Sequence, residues 1–169
     1  MRRLAVVVAA VVVLAGASLA TASSSPRVVA TIKVGGQPTW LAWAAGSLWA
    51  ANYGDGSVER IDPRRNRVVA RIKTGTQPYG VSYGAGSIWV SSFDSKDVLR
   101  IDPQTNRIVA RIDVGAPTLA GITATAGAVW ANVYGSGTVV RIDPATNTVA
   151  ARIAVGGSPE DAVVYGGAL

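Results

Sequence analysis

A stretch of the form Arg-Ile-Asp-Pro-x-x-Asn is written three times in this chain, and its spacing constrains the fold more than any other feature. The copies place aspartate at Asp62, Asp102 and Asp143, 40 and then 41 residues apart. Trp49, Trp89 and Trp130 keep step, each 13 residues before the aspartate of its own unit. In the second unit QPYGVSYGAG, SIWVSSFDSKD, VLRIDPQTN and RIVARIDVG read as four short β-favouring runs separated by turn residues. Four strands per unit at this period predict an all-β chain built of β-propeller blades. Leucine-rich and hexapeptide solenoids have shorter repeats, and a β-sandwich would not require near-identical units.

Each blade is covered by a neighbour on both faces, so its strands should lack a clean polar face. SLWAAN, SIWVSS and AVWANV mix large and small residues accordingly, and the recurrent tryptophan reads as blade-to-blade packing. In Asp-Pro-x-x-Asn the carboxylate can accept hydrogen bonds from backbone N–H groups just ahead. Proline presets φ, and asparagine tolerates the left-handed conformation that closes a hairpin. Every blade needs that turn, so these aspartates read as structural rather than catalytic. Arg60, Arg100 and Arg141 before the turn, and Arg71, Arg111 and Arg152 after it, are expected on the outer wall, where charged side chains discourage edge pairing.

The first segment, MRRLAVVVAAVVVLAGASLATASSS, has two arginines, an apolar run and small residues offering cleavage after Ala20 or Ala22. Residues 1–22 therefore read as a secretory signal peptide and 23–27 as a linker. An uncleaved leader would be the route to a membrane, although its apolar run is slightly short of the about 20 residues that span a bilayer. The expected location is secreted, periplasmic or at the cell envelope. With no cysteine in 169 residues, a disulfide framework is excluded and stability must come from the core. The formal charge is +6, of which Arg2 and Arg3 contribute two. Because the basic residues recur at fixed repeat positions, a nucleic-acid partner is not expected.

Gly-x-x-Pro, Gly-Ser-Ile-Trp-Val, Arg-Ile-Asp-Pro-x-Thr-Asn and Val-x-Ala-x-Ile-x-Val-Gly together resemble the YVTN-type propeller repeats, which are similar to streptogramin (virginiamycin B) lyase-like propellers. The resemblance runs from residue 28 to the end. It implies a ring with the first strand of each blade innermost. Residues 28–169 would then be a partial propeller, with blades at about 36–74, 76–114 and 116–155 and the start of a fourth at 158–169. An extra outer strand is expected at 28–34 and an inner strand at 162–164. The chain stops one residue short of the next expected tryptophan, as a truncated reading frame would, and its open edges should promote self-association.

The same resemblance implies that two sets of loops gather on one rim: 35–40, 75–80, 115–119 and 156–161, and 52–57, 92–97 and 132–138. Trp40, Tyr79, Leu119, Glu160 and Asp161 fall in or beside the first set, and Tyr53, Phe93 and Tyr134 in the second. Aromatics with an acidic pair around a channel mouth would suit a glycan, a peptide or a small molecule. For Tyr53, Phe93 and Tyr134, recurrence in each unit favours a packing role. Lyase chemistry in the family uses a histidine base and magnesium, and this chain has no histidine, so no catalytic residue carries over. Neither a metal site nor a cofactor is expected, and the favoured reading is an exported binding or scaffold module. A fragment of a streptogramin lyase-like carbon-oxygen lyase, whose catalytic blades would lie outside this chain, is the alternative.

Overall fold

The computed structural model describes residues 26–164. The leader expected at 1–22 and the last residues of the chain lie outside them. Three four-stranded antiparallel sheets follow one another, each paired in chain order. The first holds β1 (Pro38–Ala44), β2 (Ser47–Asn52), β3 (Ser57–Asp62) and β4 (Arg67–Lys73). The second holds β5 (Pro78–Gly84), β6 (Ser87–Ser92), β7 (Asp97–Asp102) and β8 (Arg107–Asp113). The third holds β9 (Leu119–Ala124), β10 (Val129–Val133), β11 (Thr138–Asp143) and β12 (Thr148–Ala154). The fold is a three-bladed segment of a β-propeller.

The repeated turns form as their chemistry dictates. Asp62, Asp102 and Asp143 each accept a hydrogen bond at 2.8 Å, from the backbone N–H groups of Arg64, Gln104 and Ala145. Asn66, Asn106 and Asn147 adopt φ of 50°, 57° and 57°, the left-handed conformation that asparagine tolerates better than most residues. These bonds hold the Asp62 and Asp102 carboxyls below the usual carboxylate range, backbone donation being the largest cause.

The core lies at the seams between blades, because one flat sheet cannot bury its own face. Trp49 and Val58 of the first blade pack against Val81, Val90 and Leu99 of the second. Trp89 and Val98 of the second pack likewise against Leu119, Ile122 and Val140 of the third. Trp49 and Trp89 are fully buried, and their indole N–H groups donate to Ala44 O (3.2 Å) and Gly84 O (2.9 Å). Burying one such side chain contributes about 1.5–3 kcal/mol. Inner strands approach closely: a Cβ on Gly84 would stand 2.5 Å from Thr125 O, so a side chain there would force β5 and β9 apart.

Three expectations need correction. Arg60 and Arg100 are half-buried rather than on the outer wall. Each reaches the next blade's turn: Arg60 Nη1 donates to Pro103 O and Arg100 Nη1 to Pro144 O, both at 2.8 Å. Their guanidinium groups also lie over Trp49 and Trp89, 5.5 and 5.0 Å from the ring centroids. The side chain is long enough to cross the seam, and carbonyls pointing out of a turn are good acceptors. Arg71, Arg111 and Arg152 are exposed, as expected.

Residues 28–34 form no strand, and neither do residues 162–164. An outer strand needs a ladder partner, and among the described residues no strand pairs with the first segment. The second segment lies across β9 instead, with Gly121 N–H donating to Glu160 O at 2.7 Å and the Thr123 hydroxyl to Ala162 O. Faces without a neighbouring blade are open accordingly. Leu41 is 61% exposed, whereas its counterparts Val81 and Ile122 are 2% and 3% exposed.

Candidate functional site

One backbone bond, repeated in every blade, brings the two loop sets to the same rim. Tyr53, Phe93 and Tyr134 donate their N–H groups to Gln37 O, Gln77 O and Thr118 O at 3.0, 2.9 and 3.0 Å. Each acceptor stands immediately before an inner strand, so the loop between the second and third strands is pinned beside the entry to the first. Carboxylates add to this in the first two blades. Asp55 accepts from Gly36 N–H at 3.2 Å and Asp94 from Gln77 N–H at 2.8 Å. The Thr39 hydroxyl donates to Tyr79 O at 2.8 Å and ties the first two inner strands together.

Side chains carried by these loops and by the starts of the first two inner strands form a continuous aromatic array across three blades. Ring centroids are 6.2 Å apart for Trp40 and Tyr79, 5.6 Å for Tyr79 and Phe93, and 6.2 Å for Phe93 and Tyr134. Tyr53 meets Phe93 edge-on at 6.0 Å. Such tilted and edge-on contacts suit the ring quadrupoles. Gln37, Thr39, Tyr53, Tyr79 and Phe93 line a cavity of about 300 Å³, at the small end of ligand sites. Burial pushes the Tyr79 phenol above its ordinary range, and the Glu160 carboxylate adds to this through its charge and hydrogen bonding. Tyr79 therefore stays a neutral donor at physiological pH.

The sequence candidates separate on this geometry. Trp40, Tyr79, Tyr53, Phe93 and Tyr134 meet in one array, and Glu160 stands near Tyr79. Asp161 uses its carboxylate on its own Ala162 N–H at 2.8 Å, although both it and Glu160 are exposed. Leu119 is fully buried in the seam core and is not a rim contact. The residue matching Tyr79 is Ala120, 41 positions on, and adjacent residues of a strand face opposite ways. Gln37 and Thr39 were not singled out from the sequence, though both fall in the 35–40 loop; a polar pair just before Trp40 was the available signal.

No family model matches the chain, and no curated protein matches it in sequence. Many solved structures match it in shape. One is hydrazine synthase of Kuenenia stuttgartiensis, with a TM-score of 0.70 at 17% identity, covering 82% of this chain and 42% of that one. Virginiamycin B lyase from Staphylococcus aureus gives 0.65 at 18% identity, covering 73% and 44%. The WD40 repeats of RRP9 give 0.62 at 12% identity, covering 69% and 38%. This chain thus spans less than half the length of each. At these identities the likeness concerns fold alone: this chain shares the β-propeller architecture of streptogramin B lyases and WD40 repeats.

Proposed function

We propose that this chain is a YVTN-type propeller segment that is exported and binds a ligand at the cell envelope, through the aromatic rim. The observation that carries the reading is the array itself. Five aromatic side chains from the loops and inner-strand starts of three blades converge, and three of them line one small cavity. Flat apolar faces with a neutral Tyr79 hydroxyl and the Glu160 carboxylate at the margin suit a sugar ring, a peptide side chain or a small amphiphile. A fragment of a streptogramin lyase-like carbon-oxygen lyase is the less favoured reading, since this chain carries no histidine and the general base would have to be supplied by blades outside it.

The test is a pull-down on immobilised glycans and peptidoglycan, with Trp40→Ala and Tyr79→Ala beside the parent chain. Binding by the parent and its loss in both variants is the expected result. Retention by both variants would remove the rim from the account.

A further inference from the structure

The opposite end of the blades carries charge that the fold does not require. The Asp-Pro-x-x-Asn turn constrains aspartate, proline and asparagine but leaves the two positions between proline and asparagine free. They are Gln104-Thr105 and Ala145-Thr146 in the second and third units, yet Arg64-Arg65 in the first. The residue after asparagine is Arg67, Arg107 and Thr148 in turn. Threonine serves the turn as well as arginine does. The Thr105 hydroxyl donates to Asp102 Oδ2 at 2.8 Å, where Arg65 Nη1 contacts Asp62 Oδ2 at 3.0 Å. Clustering like charges on one hairpin costs self-repulsion, so fold stability does not account for it.

Arg64 and Arg65 stand at a built recess. Gly46, Ser47, Arg60, Asp62, Arg64 and Arg65 line most of a cavity of about 350 Å³ at the turn end of the first blade. Arg60 is a fixed wall of it, since Nε donates to Ser47 Oγ at 2.9 Å while Nη1 holds Pro103 O at 2.8 Å. Arg65 is partly neutralised by Asp62. Arg64, Arg67 and Arg107 are exposed and form no ion pair among the described residues.

We propose that this recess is an anion site for a ligand carrying two or more linked phosphate groups, distinct from the aromatic rim. Several guanidinium forks at one place match several phosphate oxygens, and a single monoanion would leave most of them unused. The third unit, with Ala145, Thr146 and Thr148, provides no such surface.

The experiment is calorimetric titration of the full chain with inorganic tripolyphosphate, orthophosphate and poly-glutamate. The test variant carries Arg64→Gln and Arg65→Thr, the residues the second unit already uses, so its turn and melting temperature should be preserved. A control variant carries Arg27→Gln and Lys33→Gln, which remove the same charge elsewhere. The expected result is that tripolyphosphate binds more tightly than either other anion and that the test variant weakens it about tenfold, the control less than about twofold. Arg67→Thr should weaken it further. Equal weakening by the control, an unaffected test variant, poly-glutamate binding as tightly as tripolyphosphate, or no tripolyphosphate binding by the parent would each overturn the proposal.

Discussion

The two ends of the blades use repetition in opposite ways. At the turn end the same residues recur and bond to backbone: Asp62, Asp102 and Asp143 close their own hairpins, and Arg60 and Arg100 cross to the next one. At the rim the recurring bond is backbone to backbone, from Tyr53, Phe93 and Tyr134, which frees their side chains to meet one another. The turn end therefore holds blade to blade, while the rim presents a surface. Only the first turn, with Arg64 and Arg65, departs from that division.

The largest effect expected at the turn end comes from Trp89→Ala. Emptying a fully buried seam should cost about 3–5 kcal/mol in urea unfolding. Trp130 is only half-buried, because no fourth blade covers it among the described residues, and Trp130→Ala should cost less than half as much. Equal losses would mean that tryptophan stabilises its own blade, not the seam.

A smaller difference separates two arginines. Arg100→Ala removes bonds to Pro144 O and Asn147 Oδ1, at 2.8 and 2.9 Å, and should cost about 2 kcal/mol. Arg141 keeps its place over Trp130, at 5.8 Å, but among the described residues has no following turn to hold, so Arg141→Ala should cost about 0.5 kcal/mol or less. Thermal melts of the two variants decide whether the cross-seam bond is the stabilising element.

The smallest effects are in pH dependence, and their signs differ between the ends. Asp102 has a lowered folded pKa, so its contribution is complete above the ordinary carboxylate range and is lost as pH falls through the folded value. Tyr79 has a raised folded pKa, so its contribution is complete below the ordinary phenol range and is lost as pH rises through the folded value. In melting temperature against pH, Asp102→Asn should flatten the acid limb only and Tyr79→Phe the alkaline limb only. A change on the wrong limb would reassign the group responsible.

The turn end was legible in sequence because its defining contacts are local. Asp62 bonds the N–H two residues on, and Asn66 sets its own φ. The arginines were misplaced on the outer wall because the partner of Arg60 lies 43 residues away, across a seam that no local pattern describes. Leu119 failed for another reason. The first strand pairs with the second through a bulge in each blade, so the last rim residue and the first core residue are one position apart. Tyr53, Phe93 and Tyr134 were legible as recurrent, but whether they packed inside a blade or met between blades depended on the blades' relative rotation.

What the sequence determined by itself is the unit: its period, its four strands, the hairpin that closes it and the tryptophan that faces its neighbour. Short-range backbone geometry and alternation of side chains suffice for these. Tertiary structure decided which side chains of different units touch: Arg60 on Pro103, Tyr79 on Phe93, Glu160 beside Tyr79. Those contacts depend on the twist of each sheet and the angle at which sheets stack, which are set by the whole packed seam.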